Sequence, residues 1–173
     1  MKNEYIKTFD NKIPYSSNNF RRIVDSYLFC CPVDGTSFRS IPFSKYGWSG
    51  AIQFAQLKKR LLQAASNSLK DNYYPCKKDD LEIKFQEIKK SKPVEEYCVF
   101  LKNEEGTVMQ SLFSAIRNAF AHGSFSIREY RHNGDRVKMY FFSNFNKYLK
   151  AEIVLQESTL LEWIQIIKRG YIS

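Results

Sequence analysis

The sequence predicts a mainly α-helical bundle with a small antiparallel β-hairpin or three-stranded sheet inserted before its last helix. Apolar residues recur at helical spacing over about 18 to 30, 50 to 70 and 104 to 122. An Asn133-Gly134 pair separates two segments of alternating character, a hairpin signal because both positions tolerate positive φ. Thr159 with Glu162 three residues on then opens an amphipathic closing helix. At 173 residues the chain suits one domain with a core large enough to need no disulfide or metal staple.

Taken in order, Phe20, Ile23, Val24, Tyr27 and Leu28 follow Ser and Asn residues able to cap a first helix. Prolines and glycines in CCPVDGTSFRSIPFSKYGWSG then predict a long loop, so residues 1 to 49 read as a helix-and-loop extension of a bundle over 50 to 173. Phe54, Leu57, Leu61, Ala65 and Leu69 line a second helix, with Lys58, Lys59 and Arg60 largely outside its apolar face. Residues 77 to 92 suit a short exposed helix on Leu81, Phe85 and Ile88, whereas 94 to 101 fits a helix or a strand equally. Val108, Leu112, Phe113, Ala115, Ile116, Ala119 and Phe120 make the helix over 104 to 122 broadly apolar, and Gly123 stops it. KAEIVL is the expected third strand.

The first thirty residues are broken by charges and hold no apolar stretch of signal-peptide or membrane-spanning length, so we expect a cytoplasmic protein with reduced thiols. Adjacent Cys30-Cys31, with Cys76 and Cys98 far off, lacks the paired spacing of a zinc site, and no metal or cofactor is expected. The net charge of +9 is concentrated: residues 1 to 93 hold 17 Lys and Arg against 9 Asp and Glu, residues 94 to 173 hold 10 against 9. A field of that sign raises the local concentration of a polyanion, and it equally suits a solvated basic surface. Lys58, Lys59, Arg60, Arg128 and Arg131 are the candidate RNA-binding cations, with Tyr46 and Trp48 as candidate base-stacking rings in the long loop.

The chemistry concentrates in IRNAFAHGSF, residues 116 to 125. Asn118 and His122 are four apart and share a helix face, while Arg117 is offset by about 140° at roughly 100° per residue, with a side chain long enough to curl toward the same end. The helix C-terminus favours imidazolium and a nearby arginine disfavours it, two opposed effects that the sequence does not rank, and histidine is the side chain most used for general acid-base catalysis. Phosphodiester cleavage needs a base, an acid and a cation for the charge that builds on phosphoryl oxygen. One histidine and one arginine are part of that set, and a twofold axis joining two chains along the 104 to 122 helix would double it. His132 sits in a hairpin turn and is expected to be exposed.

Arg117-Asn118-x-x-x-His122 closing a long helix, then Gly123 and a strand, resembles the signature of the HEPN superfamily: arginine, a polar residue, and histidine four to six positions on. The resemblance spans about residues 50 to 173, with no clear counterpart for 1 to 49. It implies a metal-independent endoribonuclease acting as a homodimer, in antiphage defence or as a toxin with a neutralising or sensor protein partner. Carried over by position, His122 is the acid-base residue, Arg117 stabilises the phosphoryl group, and Asn118 orients one or both. The alternative is a HEPN-like module that binds RNA, a nucleotide or a protein without cleaving it. HEPN toxins paired with a small nucleotidyltransferase often carry tyrosine two residues after the histidine. Ser124 stands there, which argues against nucleotidylation at that position.

Overall fold

The computed structural model describes residues 4–9, 17–88 and 95–171. Its centre is a six-stranded mixed sheet built from β1 (Glu4–Phe9), β2 (Tyr73–Cys76), β3 (Tyr97–Leu101), β4 (Phe125–His132), β5 (Asp135–Asn146) and β6 (Tyr148–Gln156). The strand order is β1-β4-β5-β6-β3-β2; β2 and β3 run parallel and every other neighbouring pair is antiparallel. Around it lie α1 (Asn18–Val24), α2 (Gly50–Ala64), α3 (Asn67–Asp71), α4 (Lys78–Ile88), α5 (Val108–Ala121) and α6 (Glu157–Arg169).

The fold is therefore α/β, and the expectation of a mainly helical bundle is wrong. The segments expected as a small insert are the long central strands, and three pieces of chain join them. Residues 97 to 101, ambiguous by periodicity, are extended because both faces of β3 are covered, leaving Cys98, Val99 and Phe100 without exposure. β2 is parallel to β3 and reaches it through α4, the crossover a parallel pair requires. β1 adds to the outer edge of β4.

One sheet face carries Ile127, Tyr140, Phe142, Ile153, Leu155, Cys98 and Phe100 into the main core, shared with α1, α2, α5 and α6. On the other face α4 covers the β2–β3 side with Leu81, Phe85 and Ile88 against Val99 and Cys76. The chain before residue 50 contributes Phe20, Ile23, Tyr27, Cys31, Phe43 and Trp48 to the main core. Three of the large rings there have their polar ends matched, whereas the buried Tyr73 hydroxyl has no hydrogen-bond partner among the described residues. Tyr27 donates to the Leu160 carbonyl at 2.9 Å, Trp48 to Ile167 at 3.1 Å and Trp163 to Leu61 at 2.9 Å. Trp48 is fully buried and Tyr46 packs against the core, so the expected loop aromatics do not form a mobile base-stacking pair.

Helix ends follow local chemistry with one correction. Ser17 accepts from the Phe20 N–H at the start of α1, and Thr107 and Gln110 form a reciprocal capping box on α5. The capping role expected of Thr159 is not realised: α6 begins at Glu157 behind Gln156, and Thr159 is buried within its first turn. What anchors that start is Glu96, wholly buried just before β3. Its two carboxylate oxygens accept from the backbone N–H groups of Gln156 and Ser66, each at 2.8 Å. Its own N–H donates to Ser68 Oγ at 3.0 Å.

Two outcomes follow from this packing. Glu96→Gln sets an amide nitrogen against one of those N–H donors, and a buried unsatisfied donor costs about 2 to 3 kcal/mol, read as a lower midpoint in urea unfolding. Burial pushes the Cys31, Cys76 and Cys98 thiols up, away from the reactive thiolate. Thiol labelling at neutral pH should therefore modify half-buried Cys30 first and reach the other three only on unfolding.

Candidate functional site

The C-terminal end of α5 is fixed by its own backbone. His122 is the C-cap, its N–H bonded to the Asn118 carbonyl at 3.0 Å. Gly123 follows at φ +64, with its N–H on the Phe120 carbonyl at 3.2 Å and the Ser124 N–H on Ala119 at 2.8 Å, so the last carbonyls of the helix are satisfied by the turn. Phe125 then packs on Phe120, ring centroids 4.9 Å apart. Ser143 of β5 donates to the Ser124 carbonyl at 2.9 Å and ties the far end of β5 to this corner.

Beside that corner lies a cleft of about 330 Å³. Ser111, Ala115, Asn118 and His122, one stripe of α5, form one wall, with Ser114 at its border. Asn144, Phe145, Asn146 and Lys150, from the β5–β6 hairpin, form the wall opposite, and Leu101 and Asn103 close the end beyond β3. The cleft exists because the α5 stripe is made of small side chains. Among its lining residues are four asparagines, a histidine and a lysine, and no carboxylate. A second cleft, of about 490 Å³, differs in charge: Glu129 and Glu157 face Arg136 and Lys138 there, at 3.2 and 3.9 Å.

Of the three residues singled out as catalytic, Asn118 and His122 line the first cleft, and the His122 side is exposed. Arg117 does not line it. Its Nη1 donates to Asn118 Oδ1 at 3.0 Å, while its Nε is buried with no hydrogen-bond partner. No described carboxylate pairs with Arg117. Because Asn118 Oδ1 accepts from a guanidinium, its amide orientation is determined, leaving Nδ2 as the donor. Arg117 thus meets the cleft through Asn118.

The candidate RNA-binding cations are not gathered here. Lys58 lies over the Tyr73 ring at 5.0 Å and Arg60 over Trp48 at 5.3 Å, on different sides of α2, with Lys59 exposed between them. Arg128 sits over Phe141 at 4.5 Å on the sheet face turned away from α5. Arg131 is near the far end of β4, about 20 Å along the strand from Phe125 at roughly 3.3 Å per residue. His132 is half-buried, its Nε2 3.2 Å from Asn133 Nδ2.

Sequence reasoning missed the hairpin wall. The signal was NFNKY, an aromatic between two asparagines ahead of a positive-φ Lys147, but nothing local says that this turn faces residues thirty positions earlier. Among the described residues, no group of three His, Cys, Asp or Glu is arranged to hold a metal ion, and no helix is long and apolar enough to cross a membrane.

At Gly123 an added Cβ meets nothing within 4 Å, so Gly123→Ala tests the backbone alone. The left-handed φ should cost about 1 to 2 kcal/mol, lowering Tm by roughly 2 to 4 °C per kcal/mol. Comparison with protein-family models, with curated proteins and with solved structures gives no match.

Proposed function

We propose that the chain is a metal-independent endoribonuclease of the HEPN type, acting in the cytoplasm as a toxin or antiphage effector. The observation that carries this reading is the cleft at the end of α5, where Asn118 and His122 stand opposite Lys150 with no carboxylate among the lining residues. An anion entering it meets only neutral and cationic groups. Arg117, held on Asn118 at 3.0 Å, adds a second cation behind that wall.

In the proposed reaction the ribose 2′-oxygen attacks the adjacent phosphorus and gives its proton to His122. The bond from phosphorus to the 5′-oxygen breaks, and that oxygen takes a proton from a second acid. The products are a 2′,3′-cyclic phosphate and a 5′-hydroxyl, with no metal in the balance. Lys150 and Asn118 Nδ2 face the phosphoryl oxygens, where charge develops. The second acid is His122 of another copy, so the enzyme is a homodimer. Most of α5 is enclosed by the core and Ala121 to Ser124 are exposed, which supports a contact between copies at the C-terminal end of that helix.

A second reading is a non-catalytic RNA-binding module, favoured by one observation: Arg117 stands behind Asn118 instead of lining the cleft. The deciding experiment incubates RNA with wild type, His122→Ala and Arg117→Ala in EDTA and identifies the fragment ends chemically. The ribonuclease reading expects cyclic-phosphate ends from wild type, a loss of about 100-fold or more in His122→Ala, and intact DNA. No cleavage of structured, transfer or messenger RNA, with salt-sensitive binding retained, establishes the second reading in its place.

A further inference from the structure

Phe145 is a large apolar side chain where a polar one is ordinary: it lies 68% exposed on the rim of the cleft. Most other rings of this aromatic-rich chain are in the core or stacked on one another or under cations. Phe145 has no such contact with any described residue. Its exposure is built in. The β5–β6 register shifts between Asn144 and Phe145, and Phe145 then pairs with Leu149 across a turn that holds Lys147 at φ +62. Asn144 pairs with Ala151 and Phe145 with Leu149, so the extra residue at this irregularity is Lys150 of β6, and a bulge at the rim of a sheet re-aims the side chain it inserts.

The groups around the ring are suited to one kind of ligand. Asn144 and Asn146 flank it in the sequence, and Asn103 and Asn118 line the same cleft. The amides of Asn103, Asn144 and Asn146 each carry a donor and an acceptor together, the pattern displayed by the edge of a nucleobase, while Asn118 presents its Nδ2 donor. Lys150 lines the cleft as well, its ammonium 5.6 Å from the Tyr148 ring centroid. Uncharged hydrogen-bonding groups, an unoccupied aromatic face and one cation are what single-stranded RNA is held by: a splayed base stacks, its edge is read, and a phosphate is neutralised. A base in a duplex is already stacked and has no face to offer.

We propose that Phe145, with Asn144, Asn146, Asn103 and Lys150, forms a subsite for one unpaired base of single-stranded RNA, adjacent to His122. This names the substrate class of the ribonuclease reading and rests on it for biological meaning, but the binding itself requires no cleavage.

The test measures binding of full-length protein to a fluorescent oligoadenylate of roughly eight nucleotides, 2′-O-methylated so that no 2′-hydroxyl can attack. Adenine is the probe because an asparagine amide matches its donor-acceptor pair. Phe145→Ala should weaken binding about 5- to 100-fold, as loss of one stacked base does, and Phe145→Trp should retain it. Thermal unfolding of both variants should match wild type, since the ring is outside the core. A duplex of the same length should bind more weakly and be indifferent to Phe145→Ala. Equal affinity of wild type and Phe145→Ala for the single strand overturns the proposal, as does equal sensitivity of the duplex to that substitution. If the blocked oligonucleotide binds through Phe145 while unmodified RNA is never cut, the ribonuclease reading fails and this subsite stands. If RNA is cut and Phe145→Ala changes neither binding nor cleavage, the reverse holds.

Discussion

The structure depends on the enclosure of one helix. Eight of the fourteen residues of α5 are buried, and they face the sheet on one side and Tyr27, Phe43 and Trp163 of α6 on another. Phe113 alone meets Tyr27 in a stack at 5.6 Å, Phe43 edge-on at 5.3 Å and Trp163 at 6.1 Å. A helix surrounded in this way has little surface left for anything else. What remains open toward its C-terminal end includes Asn118 and His122, and both border the cleft. The same burial that makes α5 the centre of the core limits where polar chemistry can sit on it.

A second constraint operates at the opposite end of the sheet. The buried Glu96 carboxylate joins the entry to β3, the Ser66 corner between α2 and α3, and the first turn of α6 through backbone N–H groups. A buried carboxylate is stabilised only where its lone pairs are filled, and here donors from two distant segments fill them. The arrangement sets the point at which β6 gives way to α6. A capping signal read at Thr159 is overruled because a residue sixty positions earlier supplies the acceptor at Gln156.

The cleft and the second, mixed-charge cavity illustrate how the basic surplus is distributed. In the second, Arg136 and Lys138 are paired with Glu129 and Glu157, and Tyr140 adds its hydroxyl to Glu157 at 3.0 Å; burial, and then that carboxylate, push the tyrosine well up. Lys58, Arg60 and Arg128 spread over aromatic rings. The cleft differs in that cationic and neutral donors meet there without a carboxylate in the lining, although the charge count in the second half of the chain is nearly even.

Much of the local structure was legible in the residues alone. The helical stripe of Leu112, Phe113, Ile116 and Phe120, the stop at Gly123 and the hairpin at Asn133-Gly134 are governed by neighbours in sequence, through periodicity and backbone freedom. The proximity of Asn118 to His122 belongs with them, since four residues of helix bring two side chains onto one face. The fold class did not, because the four residues of β2 and the apolar run of β3 become strands only by pairing with each other and with β6. Nor did the wall of the cleft. Phe145 lines the same cleft as the α5 stripe because β5 is hydrogen-bonded to the corner after His122, a long-range contact that no local pattern encodes.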